Sequence, residues 1–142
     1  MYSISMLLCD TRPKSESAGA MEAGRIVIRE IRDAFPSQHQ LFIVIFVSRT
    51  PPLLDLEVLT EVVTPDDEVF DASRKVIPLH GVWDFATASV DLGRVHFPRA
   101  GAYRFNLYVR ESGQSDWPLD PYCFWMLYAV PTRQWQKNNP SR

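Results

Sequence analysis

Cysteine is scarce in this chain. Only Cys9 and Cys123 occur among 142 residues, so a small disulfide-stapled secreted scaffold is excluded, and two buried thiols in a reducing compartment are expected. Lysine is scarce too: Lys14, Lys75 and Lys137 stand far apart. With fifteen basic against seventeen acidic side chains and a formal charge of -2, there is no one-signed run to grip a phosphate backbone, which argues against nucleic acid as a partner. No stretch approaches the ~20 apolar residues of a membrane helix, so no membrane partner is expected. The opening Met-Tyr-Ser-Ile-Ser-Met-Leu-Leu-Cys-Asp lacks the basic lead and apolar run of a secretory signal. The expectation is a cytoplasmic protein.

Chemistry-bearing patterns are equally sparse. His39, His80 and His96 are the only histidines, and none pairs at metal-ligand spacing. No Gly-x-Ser-x-Gly elbow is present, and neither cysteine lies in an accessible, electropositive segment. Asp66, Asp67, Glu68 and Asp71 could ligate a hard cation within a suitable loop, but they read as a solvated turn. No catalytic residue, metal site or cofactor is expected, and the chain is read as a non-enzyme. An enzyme would need loop residues such as His80, Asp84, His96 and Asp116 to converge from distant positions.

What the chain does have is period-two patterning, with ordinary hydrophobic content for a globular domain (46%). In Phe97-Pro-Arg-Ala-Gly-Ala-Tyr-Arg-Phe-Asn-Leu-Tyr-Val109 a Pro-Gly turn feeds a strand. Tyr103, Phe105, Leu107 and Val109 share one face, while Arg104, Asn106, Tyr108 and Arg110 share the other, facing water. Tyr2, Ile4, Met6 and Leu8 give a first strand with even positions inward. Residues 11–20 read as a loop, and Gly24 to Ile31 as a second strand.

Leu41 to Val47, seven apolar residues bracketed by Phe35-Pro36 and Pro51-Pro52, suit a central strand covered on both faces. Leu54 to Val62 alternates with Asp55, Glu57 and Glu61, so one of its sides should be solvated. Thr64 to Glu68 reads as a tight turn into a returning strand, with a helix start as the other reading. In Val82 to Leu92 the opposite parity of Trp83 and Phe85 suggests a bulge or face change. Tyr122 to Val130 is apolar on both parities and ends at Pro131.

Seven or eight strands without a helical period predict one antiparallel β-sandwich of immunoglobulin-like size over residues 1–130, followed by a polar tail over 131–142. A small barrel is the alternative. Phe35-Pro-Ser-Gln-His39, Thr64-Pro-Asp-Asp-Glu68 and the Phe-Pro-x-x-Gly-x-Tyr-x-Phe element at Phe97 together resemble a family of small uncharacterised bacterial β-sandwich proteins. That resemblance implies a structural corner at Phe97–Phe105 and brings no catalytic residue. The chain departs from the pattern in its loop near residues 11–24 and its tryptophan-rich ending.

The remaining signal is aromatic. Tyr108, Trp117, Trp125 and Trp135 lie on or near the last two predicted strands, and with Leu127 they outline an oily sheet face or edge. Trp, Tyr and Arg dominate binding energy at contact surfaces. The first expectation is therefore a module that docks on a protein partner or self-associates through Tyr108, Trp117, Trp125, Leu127 and Trp135. In the bland alternative, Trp125 and Leu127 form a second small core under a loop or the tail. A further alternative is a carbohydrate-like ligand stacked on Trp117, Trp135 or Tyr108.

Overall fold

The structure, a computed structural model, describes residues 1–11, 14–17, 20–22, 28–82 and 84–132, with backbone alone at 14–17, 20–22 and 71–73. Trp83, Trp135, the tail from residue 133 and the first part of the strand expected over 24–31 lie outside the described residues.

The described chain is an all-β sandwich. Its strands are β1 (Tyr2–Cys9), β2 (Lys14–Ser17), β3 (Ala20–Glu22), β4 (Glu30–Asp33), β5 (Ser37–Arg49), β6 (Leu56–Val63), β7 (Val69–Leu79), β8 (Phe85–Phe97), β9 (Gly101–Glu111) and β10 (Cys123–Pro131). Eight of them build two sheets, in orders β1-β5-β8 and β4-β10-β9-β6-β7; β2 and β3 pair as a hairpin where the sequence reads as a loop. All pairings are antiparallel except β4 with β10.

Between the sheets lies one apolar cluster. Ile4, Met6 and Leu8 meet Leu41, Ile43, Ile45 and Val47 on one side, and Tyr103, Phe105, Leu107, Val109 and Leu127 contribute from the other. Alternation puts them there: a period-two strand aims every second side chain at the facing sheet. The central strand β5 is covered on its reverse face as well, where Phe42 and Val44 are buried with Cys9, as its unbroken apolar run requires.

A glycine resets the phase of β8. Gln40 pairs with Arg94 but Phe42 pairs with Asp91, so Leu92 and Gly93 together oppose Leu41. Gly93 takes φ 67° and donates its N–H to Asp91 Oδ1 at 2.7 Å, a left-handed glycine within a β-bulge. The extra residue shifts parity by one, so Val90 and Leu92 on one side of it and Val95 and Phe97 on the other all point into the core. A bulge was expected in this strand, but near Trp83 and Phe85 rather than here.

The Phe97–Tyr103 element is a corner. Tyr103 Oη donates to the Arg99 carbonyl at 2.7 Å, its ring lies edge-on to Phe97 at 4.8 Å between centroids, and Gly101 sits at φ 142° against Pro65. A Cβ on Gly101 would stand 2.7 Å from Pro65 Cγ, so glycine is required there for space as well as for backbone angle. Thr64 to Glu68 is the expected tight turn: Asp67 N–H donates to the Thr64 carbonyl, and Thr64 Oγ1 accepts from the N–H groups of Asp66 and Glu68. Asp66, Asp67 and Glu68 are exposed there, and Asp66 pairs with Arg99.

Two of the four sheet edges, β1 and β7, are blunted. On the unpaired side of β1, the Ile4 N–H donates to Tyr122 Oη and the Leu8 carbonyl accepts from Ile28 N–H. The free edge of β7 carries Arg74, Lys75 and Pro78. Capped groups, charges and proline discourage strand addition.

Candidate functional site

Register decides what the outer face of the five-stranded sheet displays. On β9 the outward series is Arg104, Asn106, Tyr108 and Arg110; β6 sets Val63, Glu61, Leu59 and Glu57 directly beside them. On the other flank β10 sets Met126 beside Arg104 and Phe124 beside Asn106, with Tyr128 beside Ala102. Val69 and Val76 of β7 pair with Val63 and Leu59 and so share this face.

The centre of the face is a covered polar ridge, where open solvent was expected. Asn106 is 1% exposed and Glu61 8%. Glu61 Oε1 accepts from Asn106 Nδ2 at 3.2 Å and from Tyr108 Oη at 2.7 Å, and Arg74 Nε lies 3.9 Å from Glu61 Oε2. Arg104 Nε donates to Asn106 Oδ1 at 3.1 Å. Each buried polar atom in the ridge thereby finds a partner, as burial demands. Burial, then the hydrogen bond and charge of Glu61, pushes the Tyr108 phenol above its ordinary value.

One end of the ridge is strapped down by the loop after β9. Arg110 Nε donates to Glu57 Oε1 at 3.1 Å, its Nη1 donates to the Ser115 carbonyl at 3.3 Å, and its guanidinium lies 4.0 Å from the Trp117 ring centroid. Trp117 is thus held by cation–π attraction rather than by the core. Apolar side chains flank the ridge on both sides: Phe124 and Tyr128 are 57% and 52% exposed on β10, and Val69 and Val76 are also exposed on β7.

The expected surface residues divide accordingly. Tyr108 and Trp117 lie at the outer face. Leu127 does not: it pairs with Tyr103 and is fully buried in the core. Trp125 pairs with Phe105 on the inward side, packs against the core, donates Nε1–H to the Ile28 carbonyl at 2.8 Å and lies under Arg29. Trp135 lies outside the described residues. Phe124, Met126 and Tyr128, of opposite parity, take the outward positions instead. Both parities of β10 are apolar, so alternation within that strand could not assign them; its register against the unambiguous β9 does.

Other candidates stay apart. Among the described residues no group of three His, Cys, Asp or Glu side chains could hold a metal ion. No hydrogen bond or ion pair joins His80, Asp84, His96 and Asp116, although His96 touches Phe70 with centroids 6.2 Å apart. Cys9 is buried as expected, whereas Cys123 is only partly covered, its thiol pushed up by burial. No helix among the described residues is long and apolar enough to cross a membrane.

No protein-family model and no curated protein matches the chain. Among solved structures, the chain is similar to a family 123 glycoside hydrolase from Clostridium perfringens, described for the details of glycolipid glycan hydrolysis. Identity is 6% and the TM-score 0.37, over 92% of this chain and 28% of that one. The chain therefore spans little more than a quarter of that protein, and a likeness this weak carries no argument about function.

Proposed function

We propose that this chain is a non-enzymatic assembly module that self-associates through the outer face of its five-stranded sheet. The observation that carries the reading is the layout of that face: a satisfied polar ridge between two exposed apolar strips, Phe124 and Tyr128 on β10 and Val69 and Val76 on β7. A two-fold axis running along the strands in the plane of contact brings the aromatic strip of one copy onto the valine strip of the other. The same rotation brings the acids of β6, Glu57 and Glu61, toward the arginines of β9, Arg104 and Arg110. Such self-complementarity is what an isologous interface needs.

Size supports a second copy as the occupant. Strands about 4.8 Å apart, each contributing about eight residues of ~3.3 Å, make a face of roughly 20 by 26 Å. That projection, roughly 500 Å², is about two thirds of the ~800 Å² per partner of a standard interface before side-chain relief is added. Trp117 and Tyr108 are less suited to stacking a sugar than the sequence implies, because Arg110 covers a face of Trp117 and Tyr108 spends its hydroxyl on Glu61.

Sedimentation of the wild-type chain and of Phe124→Glu/Tyr128→Glu tests the proposal. The wild type should sediment as a dimer and the double variant as a folded monomer with an unchanged far-ultraviolet spectrum. A wild-type monomer at high micromolar concentration, or a dimer that survives both substitutions, refutes it.

A further inference from the structure

Of the four sheet edges, β8 is the long one left open. It pairs with β5 on one side, and among the described residues no strand pairs with the other. With thirteen residues it is as long as β5, whereas β4, the remaining edge, has four and carries Glu30, Arg32 and Asp33. From Phe85 to Val90 the strand reads Phe-Ala-Thr-Ala-Ser-Val, without charge, proline or glycine. The devices that discourage strand addition are missing here. β3 comes near β8 without pairing to it, and the side chains from Phe85 to Ser89 stay exposed or half-buried.

The seam beneath this edge is only half covered. Across the sandwich β8 faces β7, the margin of the other sheet, and His96 touches Phe70 there. β8 sets Ala88 beside Ile45 and Ala86 beside Val47, so single methyl groups end the core where β5 has fully buried branched chains. Phe70, Ile77 and Ala88 pack against the core yet remain half-buried. A strand added outside β8 would lay every second side chain on these groups, and apolar ones fit.

Charge decides between the occupants. Asp84 and Asp91, both exposed, bracket the uncharged stretch. Two copies of β8 paired antiparallel about Thr87 and Ala88 would bring Asp84 of each to within one residue of Asp91 of the other. Like charges would then meet at both ends, which disfavours a second copy. A foreign segment with lysine or arginine at its ends meets the same acids with opposite sign.

We infer that the open edge of β8 binds an extended segment of a partner protein, apolar at alternate positions and basic at both ends, as a fourth strand beside β1-β5-β8. Main-chain hydrogen bonds along residues 85–90 hold it, Phe70, Ile77, Ala86 and Ala88 receive its apolar side chains, and Asp84 and Asp91 meet its ends. The face proposed for self-association lies on the other sheet, so this inference does not rest on it.

The probe is rhodamine-labelled acetyl-Lys-Val-Thr-Val-Thr-Val-Lys-amide, with fluorescence anisotropy reading affinity and amide shifts of the isotope-labelled chain reading location. Saturable binding with shifts centred on Ala86 to Val90 is expected. Methylating the backbone nitrogens of its valines blocks one edge of the peptide, and methylating those of its threonines blocks the other. One form should lose binding and the other keep it. Glutamate at both ends should weaken binding about tenfold, and Asp84→Asn/Asp91→Asn should weaken the lysine peptide about fivefold, as two exposed ion pairs allow. Asparagine keeps the acceptor that Asp91 offers the Gly93 N–H. Ala86→Lys, an inward-pointing charge at the seam, should abolish binding; where it fails to fold, the aspartate variant still decides. Phe124→Glu/Tyr128→Glu should bind as the wild type does, which separates this inference from self-association. No saturation, shifts centred on another strand, equal binding of the two methylated forms, affinity indifferent to Asp84 and Asp91, or release of a second copy by the peptide overturns it.

Discussion

Replacing Glu61 with alanine is the sharpest perturbation of the outer face. Glu61 Oε1 is the common acceptor of Asn106 Nδ2 and Tyr108 Oη, so its loss strands two donors together. A buried donor left without an acceptor costs about 1–3 kcal/mol. Asn106, almost wholly covered, should take the upper part of that range, while the partly exposed Tyr108 hydroxyl reaches water and takes less. The sum is about 3 kcal/mol, a large share of the ~5–15 kcal/mol that keeps a domain folded. At this chain length that lowers Tm by roughly 10 °C. Glu61→Gln keeps an acceptor oxygen and gives up the charge and the long contact to the half-exposed Arg74, so it should cost only about 1 kcal/mol. Urea unfolding of both variants, with Tyr108→Phe added to close a double-mutant cycle, measures these values. Equal losses for alanine and glutamine, or no coupling between Glu61 and Tyr108, would show that the ridge is not held as described.

Two more outcomes follow from the same geometry. Leu127→Ala should cost about 2–5 kcal/mol by opening a cavity between the sheets, whereas Phe124→Ala, three positions away and outward, should change monomer stability by less than about 1 kcal/mol; similar denaturation midpoints for the pair would reverse the face assignment of β10. The phenols of Tyr2, Tyr103 and Tyr108 are all raised above their ordinary value, chiefly by burial. Above about pH 10 the unfolded chain therefore loses protons that the native chain keeps, so stability is intact below that pH and falls as pH climbs past it. Urea midpoints from about pH 8 to pH 11 should decline at the alkaline end, less steeply in Tyr108→Phe, and a flat or rising profile would contradict the burial of these rings.

Much of the fold was legible because single-strand alternation survives without knowledge of neighbours. Tyr103, Phe105, Leu107 and Val109 face inward as their spacing requires, and so do Ile4, Met6 and Leu8. Leu41 to Val47 is covered on both sides, and Thr64 to Glu68 turns. Where alternation was ambiguous, the reading of faces failed. Trp125 and Leu127 were expected outward and lie inward, because two apolar parities in β10 give no preference until β9 supplies the register. The centre of the solvated side expected for β6 and β9 is instead covered at Glu61 and Asn106, since Glu61, Asn106 and Tyr108 satisfy one another across strands 45 to 47 residues apart in sequence, while Arg104 stays exposed.

Sequence alone therefore determined the sandwich, its central strand, its turns and the inward half of most strands, all consequences of local period and of proline and glycine chemistry. Tertiary structure decided the rest: which strip of β10 faces out, how the bulge at Gly93 realigns β8, and which long strand is left at a sheet edge. Those features depend on pairing between distant segments, and the energy that fixes register is stored in cross-strand contacts that no single strand contains.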